Sequence, residues 1–140
     1  VTFALHAELV ARRGTAPDKL ALVLHGVFGS GANWRLFMRG LAAERPEWGF
    51  LLCDLRGHGR SLGALPPHDL DAMADDLARL AEAQEQPVTA VIGHSLGGKV
   101  ALSYGLRQPE ALEQVWVLDS QPGARPFGGP TVEVLELLER

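Results

Sequence analysis

The sequence predicts an α/β fold: a doubly wound, mostly parallel sheet. Three observations predict it. Four short apolar runs each end in a polar or glycine-rich loop, as strands buried on both faces of a parallel sheet do. Stretches with helical spacing of apolar residues fill the gaps between those runs. The 140 residues also match one domain, at ~100–200 residues per domain.

The elements follow in chain order. Thr2–Arg12 alternates in polarity and suits one outer antiparallel strand, or a hairpin arm, before a turn at Gly14–Asp18. Leu20–Leu24 is a continuous apolar run that ends at His25-Gly26. Asn33–Glu44 carries Trp34, Phe37, Met38 and Leu41 at three- and four-residue spacing, which predicts a helix. Phe50–Cys53 is the second buried run and ends at Asp54. Asp69–Ala83 is helical by Leu70, Met73, Leu77 and Leu80, with Asp75 and Asp76 expected on its other face as solvated charge. Val88–Ile92 ends at Gly93, and a third helix over Leu96–Arg107 is stopped by Pro109. Val115–Leu118 is the last buried run, ending at Asp119. Gln121–Pro130 holds three Pro and three Gly and reads as a loop or boundary. Val132, Leu135 and Leu138 begin a further helix. The expected organisation is a core over residues 1–120, then a loop and the start of a helix over 121–140.

Composition excludes several classes. No apolar run approaches the ~18–20 residues of a membrane span. A net charge of −4 argues against a nucleic-acid partner. The single cysteine, Cys53, allows neither a disulfide framework nor a Cys-rich metal site, and its apolar strand makes it a buried core thiol. No metal or organic cofactor is expected. Val1 opens no signal-peptide pattern, so a cytoplasmic location is expected.

Open α/β sheets bind ligands at the carboxyl ends of their strands. The unusual loops sit there: His25–Gly31 (HGVFGSG), Asp54–Ser61 (DLRGHGRS) and Gly93–Gly98 (GHSLGG). Gly93-x-Ser95-x-Gly97, between a predicted strand and a predicted helix, has the pattern of a nucleophile elbow. The nucleophile takes a strained backbone conformation there, and small neighbours let strand and helix approach closely. Ser95 then stands at a helix N-terminus, which favours developing negative charge. A nucleophilic Ser needs N–H donors for the oxyanion it creates. Leu96, after the Ser, would supply one, and Val27 or Phe28, in the loop after His25-Gly26, the other.

With these loops in this order the sequence resembles the α/β-hydrolase superfamily. It carries that family's LHG loop at Leu24–Gly26, its D-x-R-G-H-G-x-S loop at Asp54–Ser61 and its GHSLGG elbow at Gly93–Gly98. The resemblance covers essentially Thr2–Ser120, the first half or slightly more of the family's fold. The run HGxFGS followed by Asn33-Trp34, with GHSLGGK through Lys99, is similar to small bacterial esterases. The resemblance implies Ser95 as nucleophile and His25 as the residue that orients the oxyanion loop. Dehalogenases and epoxide hydrolases of this kind use a carboxylate at the elbow, where this chain has Ser95.

Other residues have plainer readings. His94 adjoins the nucleophile but should point away on an alternating strand end, as packing. His58 reads as a loop-shaping hydrogen-bond partner, His6 and His68 as ordinary strand and loop residues, and Asp54 as a loop anchor. Lys99 is expected to be solvated. Trp34 and Phe28 could line an acyl pocket, and Trp34 serves equally as helix core.

A Ser nucleophile needs a base, and the base an orienting acid. The family's chain order is Ser, then Asp or Glu, then His. All five histidines of this sequence precede Ser95. Asp119 is a candidate acid, and a loop-capping role is its alternative. The family's sheet also continues beyond Val115–Leu118, so that run is expected at an exposed edge. The chain is therefore expected to be the nucleophile-bearing part of a longer or complemented enzyme, inactive by itself, with the helix near Thr131 as the start of a lid. The implied function is a serine hydrolase of carboxylic ester or thioester bonds, with a small-molecule substrate. Two alternatives are a lyase on the same fold, as in menaquinone-pathway enzymes, and a non-catalytic binding protein that lost the base.

Overall fold

The computed structural model describes residues 3–123. They form strands β1 (Ala7–Val10), β2 (Lys19–Leu24), β3 (Trp48–Cys53), β4 (Val88–His94) and β5 (Gln114–Leu118), with helices α1 (Arg35–Glu44), α2 (Leu70–Glu82) and α3 (Leu96–Leu106). A single 3-10 turn over Gly31–Trp34 leads into α1, so the helix expected from Asn33 begins two residues later. The first strand is shorter than the alternation of Thr2–Arg12 suggested. The helix expected at Val132–Leu138 lies outside the described residues.

The five strands lie in the order β1-β3-β2-β4-β5. Only β1 runs antiparallel, pairing Ala7 with Cys53 and Val10 with Phe50. The chain goes from β2 to β3 on one side, then returns to β4 on the other. The crevice between the carboxyl ends of β2 and β4 is thus the topological switch point, where doubly wound sheets bind ligands.

Alternation along the central strands feeds two cores. Leu20, Leu22 and Leu24 of β2 join Leu51 and Cys53 of β3 on the side covered by Met73 and Leu77 of α2 and Val100 and Ala101 of α3. Ala21 and Val23 join Phe50 and Leu52 on the opposite side, against Met38 and Ala42 of α1. Both faces of β2 are apolar because both are covered, as its unbroken run predicted. Burying a Leu or Phe side chain contributes roughly 1.5–3 kcal/mol each, so this double cover holds the strand ends firmly.

Three expectations are corrected by packing. Val115–Leu118 is not buried on both faces. Among the described residues it is an edge strand, with Val115, Trp116 and Leu118 exposed. Phe37 is exposed instead of lying on the buried face of α1, because Met38 and Ala42 take that face. Asp76 is not solvated charge. It is buried and paired with Arg56 and Arg79. Its position, three residues after Met73 and four before Leu80, is on the apolar face of α2, so the helical period contained the signal. Asp75 faces outward as expected and pairs with Arg107 at the surface.

Candidate active site

Ser95 sits between β4 and α3 with φ 53° and ψ −115°, a conformation that L residues rarely adopt. The glycines around it are required by space. An ideal β-carbon at Gly93 would stand 2.0 Å from the Gly97 carbonyl oxygen. One at Gly97 would stand 2.7 Å from the carbonyl oxygens of Leu24 and His25. One at Gly98 would meet the Ser120 side chain at 2.6 Å. The turn is further tied down by Ser95 N–H donating to Leu118 O (3.1 Å) and Gly97 N–H donating to His25 O (3.1 Å). Such a crossing suits a hydroxyl that must stand clear of the sheet. Among the described residues, the Ser95 side chain has no hydrogen-bond partner.

Opposite it runs the loop after β2. Gly29 N–H donates to Gly26 O at 3.0 Å, closing a tight turn with Val27 and Phe28 at its tip. Among the described residues, no carbonyl or side chain accepts from the N–H of Val27, Phe28 or Leu96. Gly26 lies close against the elbow: a β-carbon there would be 3.5 Å from Ser95 Cβ and 3.4 Å from His94 Nδ1. His25, Gly26, Val27, Phe28, Trp34, His94 and Ser95 all border one open cavity of about 550 Å³.

The histidines take distinct places. His25 is buried. Leu55 N–H donates to its Nε2 (2.9 Å), so its proton is on Nδ1, which donates to Gly26 O (2.6 Å). Burial lowers the His25 pKa below its ordinary value, against the opposing pull of the Gly26 carbonyl. The ring is therefore a neutral brace for the turn. His94 borders the cavity beside Ser95. His6 pairs by its backbone with Asp54 N–H and Ser61 Oγ, and His68 is exposed in a loop.

The third loop is an anchored frame. Asp54, buried, accepts from Gly31 N–H (2.7 Å) and Arg60 N–H (2.9 Å). Ser61 Oγ donates to Asp54 O at 2.6 Å. Arg56 donates from Nε and Nη2 to both carboxylate oxygens of Asp76, a bidentate pair inside the protein. This pair was missed in the sequence because its members lie 20 residues apart on a loop and a helix. Cys53, beneath the frame, is fully buried and its thiol is pushed up to about 12 by that burial, so it is no nucleophile at neutral pH.

Two further residues lie near the elbow. Asp119, exposed after β5, has φ 46°. Lys99 is not simply solvated. Its Nζ donates to Gln121 O (3.0 Å) and Gly123 O (2.6 Å), fastening the loop after β5 to α3. Among the described residues, no group of three or more His, Cys, Asp or Glu could hold a metal ion. No described helix is long and apolar enough to cross a membrane.

This arrangement has known counterparts. Residues 21–134 match the family profile of the alpha/beta hydrolase fold. The chain is 33% identical over 115 residues to the sn-1-specific diacylglycerol lipase ABHD11 of Xenopus tropicalis, covering 79% of this chain and 34% of that protein. It is 32% identical over 127 residues to a protein of Rhizobium rhizogenes named as the carbamate hydrolase RutD, covering 89% of this chain and 47% of that one. Among solved structures, a marine microorganism esterase superposes with a TM-score of 0.82 at 28% identity, over 98% of this chain and 49% of its own. The epoxide hydrolase CorEH superposes with a TM-score of 0.71 at 26% identity, over 96% of this chain and 50% of its own. The chain thus spans between about a third and a half of the length of these relatives.

Proposed function

Because the chain belongs to the alpha/beta hydrolase fold family, we propose that it is the nucleophile-bearing part of a serine hydrolase that cleaves carboxylic ester or thioester bonds. The observation that carries this reading is the juxtaposition at the switch point. Among the described residues, the Ser95 hydroxyl stands on a strained backbone without a partner and shares one cavity with a turn whose Val27 and Phe28 N–H groups have no acceptor.

In this reading Ser95 Oγ attacks the substrate carbonyl carbon and loses its proton to a histidine base. The carbonyl π pair moves onto oxygen, and that oxyanion accepts from Leu96 N–H and from Val27 or Phe28 N–H. Collapse expels the alcohol or thiol, which takes the proton from the base. Water, activated by the same base, then releases the acid and regenerates Ser95. The N-terminus of α3 adds its positive end to the oxyanion's surroundings. His25 keeps the turn in shape, Asp119 is a candidate for the acid that orients the base, and Phe28 and Trp34 form the apolar wall for an acyl group.

All five histidines of these 140 residues precede Ser95, whereas the family's chain order puts the base after the nucleophile. The 140-residue chain alone is therefore expected to turn over no ester. A hydroxyl at the elbow in place of a carboxylate favours ester chemistry over epoxide opening, despite the likeness to CorEH. The position of all five histidines before Ser95 also supports a second reading, a binding protein that retains the elbow without turnover.

A fluorophosphonate probe tests the assignment. In the full-length protein, the probe should add its mass to the Ser95 peptide, and Ser95→Ala should abolish that addition. Labelling that survives the substitution sinks the serine reading. A full-length protein that takes no probe favours the binding reading.

A further inference from the structure

The turn after β2 is gripped by two histidines, one on each of its two central peptides. His25 Nδ1 donates to the Gly26 carbonyl at 2.6 Å, which fixes the Gly26–Val27 peptide. His58, from the loop after β3, has its Nε2 2.7 Å from the Val27 carbonyl oxygen. A carbonyl oxygen only accepts, so this nitrogen is the donor. A trans peptide is planar, with its C=O and N–H pointing in opposite directions. Holding the Val27 carbonyl on the His58 side therefore turns the Phe28 N–H to the other side. The cavity shared with Ser95 is bordered by Val27 and Phe28 but not by His58.

His58 is itself held. Its own N–H donates to Leu55 O (2.8 Å), and Ser61 N–H donates to its carbonyl (2.9 Å). Its ring lies 5.0 Å from that of His25, tilted by 58°. Its Nδ1 is 3.0 Å from Arg56 O, and the Arg56 side chain is locked onto Asp76 of α2. With a carbonyl at each ring nitrogen, both contacts are hydrogen bonds only in the doubly protonated ring. The neutral Nε2–H form keeps the Val27 bond alone.

We propose that His58 is a positioning residue for the oxyanion turn. Its Nε2–H holds the Val27–Phe28 peptide so that the turn's N–H groups face the carbonyl attacked by Ser95. This rests on the serine-hydrolase reading and adds a residue outside the reacting groups. The conformation of the turn is then set from α2 through Arg56 and the His58 loop. Without the Nε2 donor the peptide is free to rotate, and the oxyanion loses an aimed partner while the apolar wall remains.

The test separates a donor from a spacer. His58→Phe retains a ring of similar size without the donor, and His58→Gln restores an N–H. In the catalytically competent protein, His58→Phe is expected to lower kcat for ester hydrolysis about tenfold with KM within about twofold, and His58→Gln to recover most of the loss. The amide signals of Val27 and Phe28 should shift in the Phe variant and return toward wild type in the Gln variant. An unchanged kcat in a folded His58→Phe protein, or unmoved amide signals, overturns the proposal. A measurement on the unmutated 140-residue chain covers the case in which the Phe variant does not fold. Nitrogen-15 spectra of the His58 ring should show Nε2 protonated and slow to exchange, and an unprotonated Nε2 overturns the proposal. These ring and amide signals do not depend on turnover, so they stand apart from failure of the Ser95 assignment, which the fluorophosphonate result reads.

Discussion

At His25 one side chain joins three loops, since it accepts from Leu55, donates to Gly26 and offers its own carbonyl to Gly97. The lowered pKa of this ring has a consequence for stability. The unfolded chain takes up a proton near pH 6.5, and the folded protein resists it until lower pH. The stabilisation is therefore complete above about pH 6.5 and is lost as pH falls toward the folded value. Urea midpoints measured from pH 7.5 to 5 should fall, and His25→Gln should flatten that slope. Equal slopes in the two proteins would show that His25 is not the group responsible. The need for this histidine was legible in the LHG motif, but its tautomer was not. The tautomer is set by the Leu55 N–H, 30 residues away.

At the scale of elements, α2 does more than cover the sheet. Its N-terminus is capped by Asp69, which accepts from Ala72 N–H at 2.8 Å. Its middle carries Asp76, the buried partner of Arg56. Removing one member of a buried ion pair strands the other charge, which costs about 3–5 kcal/mol. Asp76→Ala should therefore lower stability to urea by about that amount, whereas Asp75→Ala, which breaks an exposed pair with Arg107, should cost about 1 kcal/mol or less. Equal losses in the two variants would contradict the buried pairing. The helix itself was readable from Met73, Leu77 and Leu80. The place of Asp76 follows from its position on the helical stripe, where a buried Arg56 offsets its charge, and composition alone does not reveal that partner.

At the scale of the molecule, the sheet formed by the described residues has two unlike edges. β1 is four residues long, and β5 presents Val115, Trp116 and Leu118 to solvent. A flat apolar edge pairs readily with another strand. The 140-residue chain is expected to self-associate with rising concentration in sedimentation velocity, and Trp116→Lys should shift it toward monomer. A monomer at every concentration would show that the edge is covered. The exposure of β5 reversed the reading of VWVL as a run buried on both faces, although the expectation of an edge at this strand was met. An apolar run shows that a strand needs cover, without showing which neighbour supplies it.

The sequence by itself determined the elements, their order and the elbow. Those are local matters: apolar period selects strand or helix, and the close packing at Gly93, Gly97 and Gly98 admits no side chain. Tertiary structure alone decided which loops meet. The strands β3, β2 and β4 are apolar on both faces, so their patterns fit several orders equally. Only the β3-β2-β4 order brings His58 to Val27, Leu55 to His25 and Gly26 to Ser95. Hydrogen bonds between loops depend on that order, because their partners lie about 30 residues apart in the chain and within 3 Å in space.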